Sequence, residues 1–152
     1  MRSDLAAFLV DTNVLVYAYD AGDQPKASRA RACIRRLGDA RNGAVSAQVL
    51  GEFFVVATRR LRPPLSTPTA AAIVTNLGRA WPVYDVTGMA AIEAMRAVHQ
   101  YQFQYWDALI WATAKLNGVP NVLTEDVPSG RLVEGVRFED PFQAGFELAR
   151  LD

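Results

Sequence analysis

Strand-like and helix-like segments alternate along this chain, and the alternation excludes all-helical and all-strand folds at once. "AAFLV" (6–10) is an apolar run of buried-strand length, followed by a short helix from about Val14. "QPKASRARACIRRLGDA" reads as an exposed helix with a thin apolar stripe of Ala27, Ala30, Ile34 and Leu37. After the strand "GAVS", Ser46 is placed to cap the helix "AQVLGEFFVVATRRL", where Leu50, Phe53, Phe54, Ala57 and Leu61 recur at helical spacing. Beyond the loop "LRPPLSTP", Thr67-Pro68 reads as cap and first helical residue of a helix to about Arg79. The strand "WPVYDV", a helix from Thr87 through His99, and the helix "YWDALIWATAKLNG" stopped by Asn117-Gly118 come next. "VPNVLT" and "VRFED" read as the last strands. Such alternation predicts an α/β domain with a mostly parallel sheet between helical layers. With 152 residues and no repeat or internal linker, the expectation is a single domain over 1–152.

Composition narrows the class. Half the residues are hydrophobic (51%) and a fifth charged (21%), the balance of an ordinary globular domain. No apolar run approaches membrane-spanning length, and the stretch in "MRSDLAAFLVDTN" is short for a signal peptide. The single cysteine, Cys33, excludes an internal disulfide and sits in a surface-looking helix, which fits a reducing, cytoplasmic setting. Net charge is zero, yet 14 of the 16 cations are arginine and they cluster. Lys26, Arg29, Arg31, Arg35, Arg36 and Arg41 face one acid, Asp39, and Arg59, Arg60 and Arg62 form a second knot. Guanidinium forks suit phosphate, and such clusters serve equally as solvated helix faces.

Four acids stand apart. Asp11 is the only charge between Leu5 and Tyr19, Glu52 between Ala47 and Thr58, and Asp107 between Tyr101 and Ala114; Asp126 follows the apolar "NVLT". Burying a lone ionised carboxylate is costly unless something compensates it. In open α/β sheets, sites form outside the carboxyl ends of the strands, where Asp11 and Asp126 are predicted to lie. Glu52 and Asp107 fall early in helices that start at the same edge. Gathered there, the acids repel unless protonated or bridged by a cation. With one histidine and one cysteine, an oxygen-only donor set favours Mg²⁺ (or Mn²⁺) over zinc. Such a site suits phosphodiester hydrolysis. Each acid also has a plainer role: Asp11 as a helix cap, Asp107 as a partner for an arginine of the 59–62 knot, and Asp126 as a turn residue beside Glu125. Glu52 has no cation at i±4.

The segments "FLVDTNVLVYAYD", "QVLGEFF", "YWDALIWATA" and "VLTED" resemble, in order, the four acidic motifs of PIN domains. The resemblance is strongest to VapC-type toxins of bacterial toxin–antitoxin pairs and spans about Ala7 to Phe142. It implies a three-layer α/β/α sandwich with a mostly parallel central sheet, and Mg²⁺- or Mn²⁺-dependent endoribonuclease activity on RNA. Position by position, Asp11, Glu52, Asp107 and Asp126 correspond to the family's catalytic, metal-binding quartet. Asp11 and Asp107 would be the firmest ligands, Glu52 would complete the site or orient water, and Asp126 would bind through water or hold a second ion. Thr12, Asn13 and Thr124 fall on supporting polar positions. Glu125 competes with Asp126 for the fourth place, which is assigned here to Asp126. The resemblance also implies a homodimer and a small cognate antitoxin protein. The helices from Ala47 and around Ala90 to Val98 carry more apolar residues than one core face needs, with core packing the alternative.

Other readings fit less well. A haloacid dehalogenase-type phosphatase wants a second Asp where Asn13 stands; a receiver domain wants a late lysine, but Lys115 is mid-helix; a dinucleotide-binding domain wants a Gly-rich turn after the first strand. A non-catalytic binding module on the PIN scaffold, and a housekeeping PIN ribonuclease outside any toxin–antitoxin pair, remain alternatives. His99 reads as a helix-end residue or a general base. The aromatic run "YQFQYW" reads as packing beneath Asp107 or as a base-stacking surface.

Overall fold

The computed structural model describes residues 5–152. Its strands are β1 (Phe8–Val10), β2 (Gly43–Ser46), β3 (Val83–Tyr84), β4 (Asn121–Leu123), β5 (Leu132–Val133) and β6 (Val136–Glu139). Helices α1 (Thr12–Tyr17), α2 (Gln24–Ala40), α3 (Ala47–Arg59), α4 (Thr67–Ala80), α5 (Gly88–Tyr101) and α6 (Tyr105–Leu116) connect them, with a 3₁₀ turn at Leu148–Leu151. The sheet order is β3-β2-β1-β4-β6-β5, with every pairing parallel except β5–β6. This is the expected α/β/α sandwich.

Alternation along β6 separates the two helical layers. Phe138 points toward Phe103 (5.5 Å between ring centroids), which in turn packs on Trp111 of α6. Glu139, on the opposite face, is bonded by Arg150 of the 3₁₀ turn. The centre of the sheet is dry: Leu9, Val10, Ala44, Val45 and Leu123 have no exposed surface. Its strands therefore read as continuous apolar runs rather than as an alternating pattern.

Local details depart from the sequence reading in instructive ways. Helix α1 begins at Thr12, not Val14, because Asp11 already caps it by accepting from the Thr12 N–H. Ser66, rather than Thr67, caps α4, leaving Pro68 in the first turn, where its missing N–H costs nothing. Cys33 is fully buried on the inner face of α2, so the surface placement expected for it is wrong. The strand read as "WPVYDV" narrows to two residues. Strand β5 was not foreseen at all: Glu134 (φ 48°) and Gly135 (φ 86°) make a two-residue turn that pairs Leu132-Val133 with Val136-Arg137.

One glycine sets a packing distance. A Cβ on Gly43 would lie 2.9 Å from two ring carbons of Trp81 and 3.1 Å from Leu37 Cβ, so the indole, itself buried, closes this end of β2 only because residue 43 has no side chain. Gly43→Ala is expected to destabilise the fold by about 1–3 kcal/mol through overpacking. The check is a urea titration in which the midpoint falls at unchanged slope; an unshifted midpoint would show that Trp81 moves aside freely.

Candidate metal centre

Parallel strands β1 and β4 end side by side, and the turns beyond them carry Asp11 and Asp126. Helix α6 delivers Asp107 in its first turn, where the positive end of the helix dipole favours a carboxylate. One carboxylate oxygen from each of Asp11, Asp107 and Asp126 lies within 4.8 Å of the other two. Asp11 is buried, Asp107 half-buried and Asp126 exposed, so the cluster opens to solvent on the Asp126 side. Among the described residues no lysine, arginine or histidine pairs with any of the three. The arginine knot at 59–62 does not reach Asp107; Arg62 donates instead to the carbonyls of Arg59 and Leu61.

The small polar residues knit the acids together. Thr124 donates its hydroxyl to Asp11 Oδ2 (2.7 Å) and accepts from the Asp126 N–H (3.1 Å). Asn13 Nδ2 approaches Thr124 Oγ1 (3.0 Å), Asp126 Oδ2 (3.0 Å) and, more distantly, Asp11 Oδ2 (3.3 Å). Its Oδ1 is buried without a partner. Thr12 donates to Glu52 Oε2 (2.8 Å), and Gln48 Nε2 donates to Glu52 Oε1 (2.9 Å). Glu52 thus stands beside the three-acid cluster rather than within it, but its charge is felt at Asp107. Gln48 was not singled out from sequence. Its place four residues before Glu52 on α3 is the signal that would have found it.

Glu125 and Asp126 part ways. Lys26 Nζ meets Glu125 Oε2 at 2.7 Å, and Tyr17 donates its hydroxyl to Oε1 at 2.7 Å. With Glu125 held by Lys26 and Tyr17, Asp126 is the acid of the pair that lies beside Asp11 and Asp107. His99 lies in the last turn of α5, exposed.

Burial and mutual repulsion show in the acidities. Burial raises the Asp11 pKa from 3.8 to about 7, against the hydrogen bonds from Thr124 and Thr12 and with help from the charges of Asp126 and Asp107. Asp107 rises to about 6, through desolvation first and then the charges of Asp126 and Glu52, and no hydrogen bond counters it. Three clustered carboxylates, two of them reluctant to ionise, with no protein cation and no nitrogen or sulfur donor, form a donor set matched to a hard divalent ion.

A PIN domain family model matches residues 8–127, a stretch that contains all four acids. The chain belongs to the PIN domain family. No curated protein matches it significantly. Among solved structures, this PIN domain resembles the DNA-bound VapBC of Salmonella typhimurium, at 19% identity and a TM-score of 0.63 over 90% of this chain and 99% of that one. It also resembles a toxin–antitoxin complex from Klebsiella pneumoniae, at 18% identity and TM-score 0.62 over 90% and 98% of the two chains. A third likeness is to VapC20 of Mycobacterium tuberculosis, a toxin that cleaves the sarcin–ricin loop, at 21% identity and TM-score 0.58 over 76% and 86%. At these identities the likeness is one of fold.

Because Asp11 and Asp107 hold protons to higher pH when folded than when unfolded, the folded state loses stability as pH rises through their pKa values. In EDTA, the melting temperature of the PIN domain is expected to fall between about pH 5 and about pH 7.5. Asp11→Asn should flatten that slope; a slope unchanged in the variant would contradict the raised acidity assigned to Asp11.

Proposed function

We propose that this PIN domain, working as a single unit over residues 1–152, is a divalent-metal-dependent endoribonuclease and the toxin of a toxin–antitoxin pair, acting in the cytoplasm. The observation that carries the proposal is the approach of Asp11, Asp107 and Asp126 within 4.8 Å without a protein cation among the described residues. Mg²⁺ or Mn²⁺ fits this donor set, and when bound it lowers the pKa of an attacking water and neutralises charge on the phosphate.

The chain's own residues supply placement. Asp11, fixed on both oxygens by the Thr12 N–H and the Thr124 hydroxyl, cannot swing away from the centre. Asp107 sits on the rigid start of α6, and Asp126 is held through Asn13 and the Thr124 hydroxyl. These three would hold the metal ion. Glu52, gripped by Thr12 and Gln48, is the residue to orient water at the edge of the cluster. The PIN family match, together with likeness in fold to toxins and toxin–antitoxin complexes, supports the nuclease and toxin reading.

Partners follow from the same reading: RNA as substrate, a cognate antitoxin, and a second copy of the chain. Met89, Ile92 and Met95 form an exposed apolar row on α5 that a protein partner would cover. Among the described residues, no helix is long and apolar enough to cross a membrane.

Cleavage of single-stranded RNA with Mg²⁺, wild type against Asp11→Asn, tests the assignment. Loss of a ligand should slow cleavage on the order of a hundred-fold or more. Equal rates in both proteins would leave a non-catalytic RNA- or protein-binding module as the better description. Mn²⁺ is expected to raise the melting temperature of the wild type and to do so less in Asp107→Asn; an undiminished rise would remove Asp107 from the ligand set.

A further inference from the structure

Of the three tryptophans, Trp81 and Trp111 are buried, whereas Trp106 leaves 60% of its surface in water. Leaving an indole exposed forgoes one of the largest burial gains a side chain offers. The position of Trp106 is also fixed with respect to the acids. It directly precedes Asp107, so their Cα atoms are about 3.8 Å apart. Its carbonyl accepts from Gln48 Nε2 (3.2 Å), the nitrogen that also donates to Glu52 Oε1 (2.9 Å), so one glutamine amide ties Trp106 to the rim of the cluster. The Tyr105 ring meets the indole at 72° with 5.0 Å between centroids, bracing it while most of it stays in solvent.

We propose that Trp106 is the stacking platform for a base of single-stranded RNA beside the phosphodiester being cut, an inference that rests on the nuclease reading above. An acidic centre repels the phosphates it must receive, and stacking supplies affinity through an uncharged contact that this repulsion does not oppose. Bases free of a duplex stack readily on aromatic side chains, with little dependence on sequence. The aromatic run therefore divides its work: Phe103 packs in the core, and Trp106 faces the substrate.

The test uses a short mixed-sequence single-stranded RNA with hydrolysis-resistant phosphorothioate linkages, titrated in Mg²⁺ while tryptophan emission is followed. Because Trp106 is the exposed indole, its emission should be quenched as RNA binds. Trp106→Phe should lose most of the quench while binding within about three-fold of wild type, since a phenyl ring still stacks. Trp106→Ala should bind about ten-fold more weakly, and with cleavable RNA should raise KM more than it lowers kcat. If Trp106→Ala binds and cleaves with unchanged KM while wild type is active, the platform falls and the nuclease stands. If wild type cleaves no RNA yet the Trp106-dependent quench is present, the nuclease reading falls and with it the placement beside a cut phosphodiester, leaving Trp106 as an RNA-stacking contact of a non-catalytic module. A blue shift of emission that follows protein concentration alone would assign Trp106 to a contact between copies and overturn the proposal.

Discussion

Repulsion among carboxylates brought to one spot shapes this molecule's chemistry. A carboxylate on Asp11, almost entirely removed from water, meets the charges of Asp107 and Asp126 within 4.8 Å and has only hydrogen bonds to offset them. A fold that spends stability in this way gathers negative charge at one end of its sheet that no protein cation among the described residues balances. The proposed metal, the proposed reaction and the pH response all stem from that imbalance.

The fold creates the imbalance by geometry. Two adjacent parallel strands, β1 and β4, end at the same level, so the residues just past them are neighbours although more than a hundred positions separate them in sequence. Helix α3 and helix α6 add a glutamate and an aspartate from opposite layers of the sandwich. The contacts that hold these acids are short hydrogen bonds, several of them between residues far apart in sequence. Asp11 serves at once as the cap of α1 and as the acceptor for Thr124, so the plain capping role and the metal-ligand role are two oxygens of one side chain rather than rival explanations.

How much was legible in the sequence differed by residue for physical reasons. Asp11, Glu52 and Asp107 were visible because each is a solitary charge in an apolar stretch, and an isolated buried charge needs an explanation. Strand β5 was not visible because two residues carry no periodicity; only the Glu134-Gly135 turn marked it. Cys33 was misplaced because α2 is rich in arginine, and charge density masked the inner face formed by Ala27, Ala30, Cys33 and Leu37. Neither the pairing of Lys26 with Glu125 nor the exposure of Trp106 has any sequence signature, since both depend on which distant segment arrives alongside.

The order of strands and helices, the caps at Ser46 and Thr87, and the identity of the acids follow from local rules: a run of apolar residues, a hydroxyl before a helix, a charge without a partner. Those rules act over a few residues and survive in a linear string. Which of the four scattered acids meet, which of Glu125 and Asp126 joins Asp11 and Asp107, and which tryptophan is left in water were decided only by tertiary packing. Contacts between segments a hundred residues apart depend on the register of the whole sheet, and no short stretch of sequence carries that information.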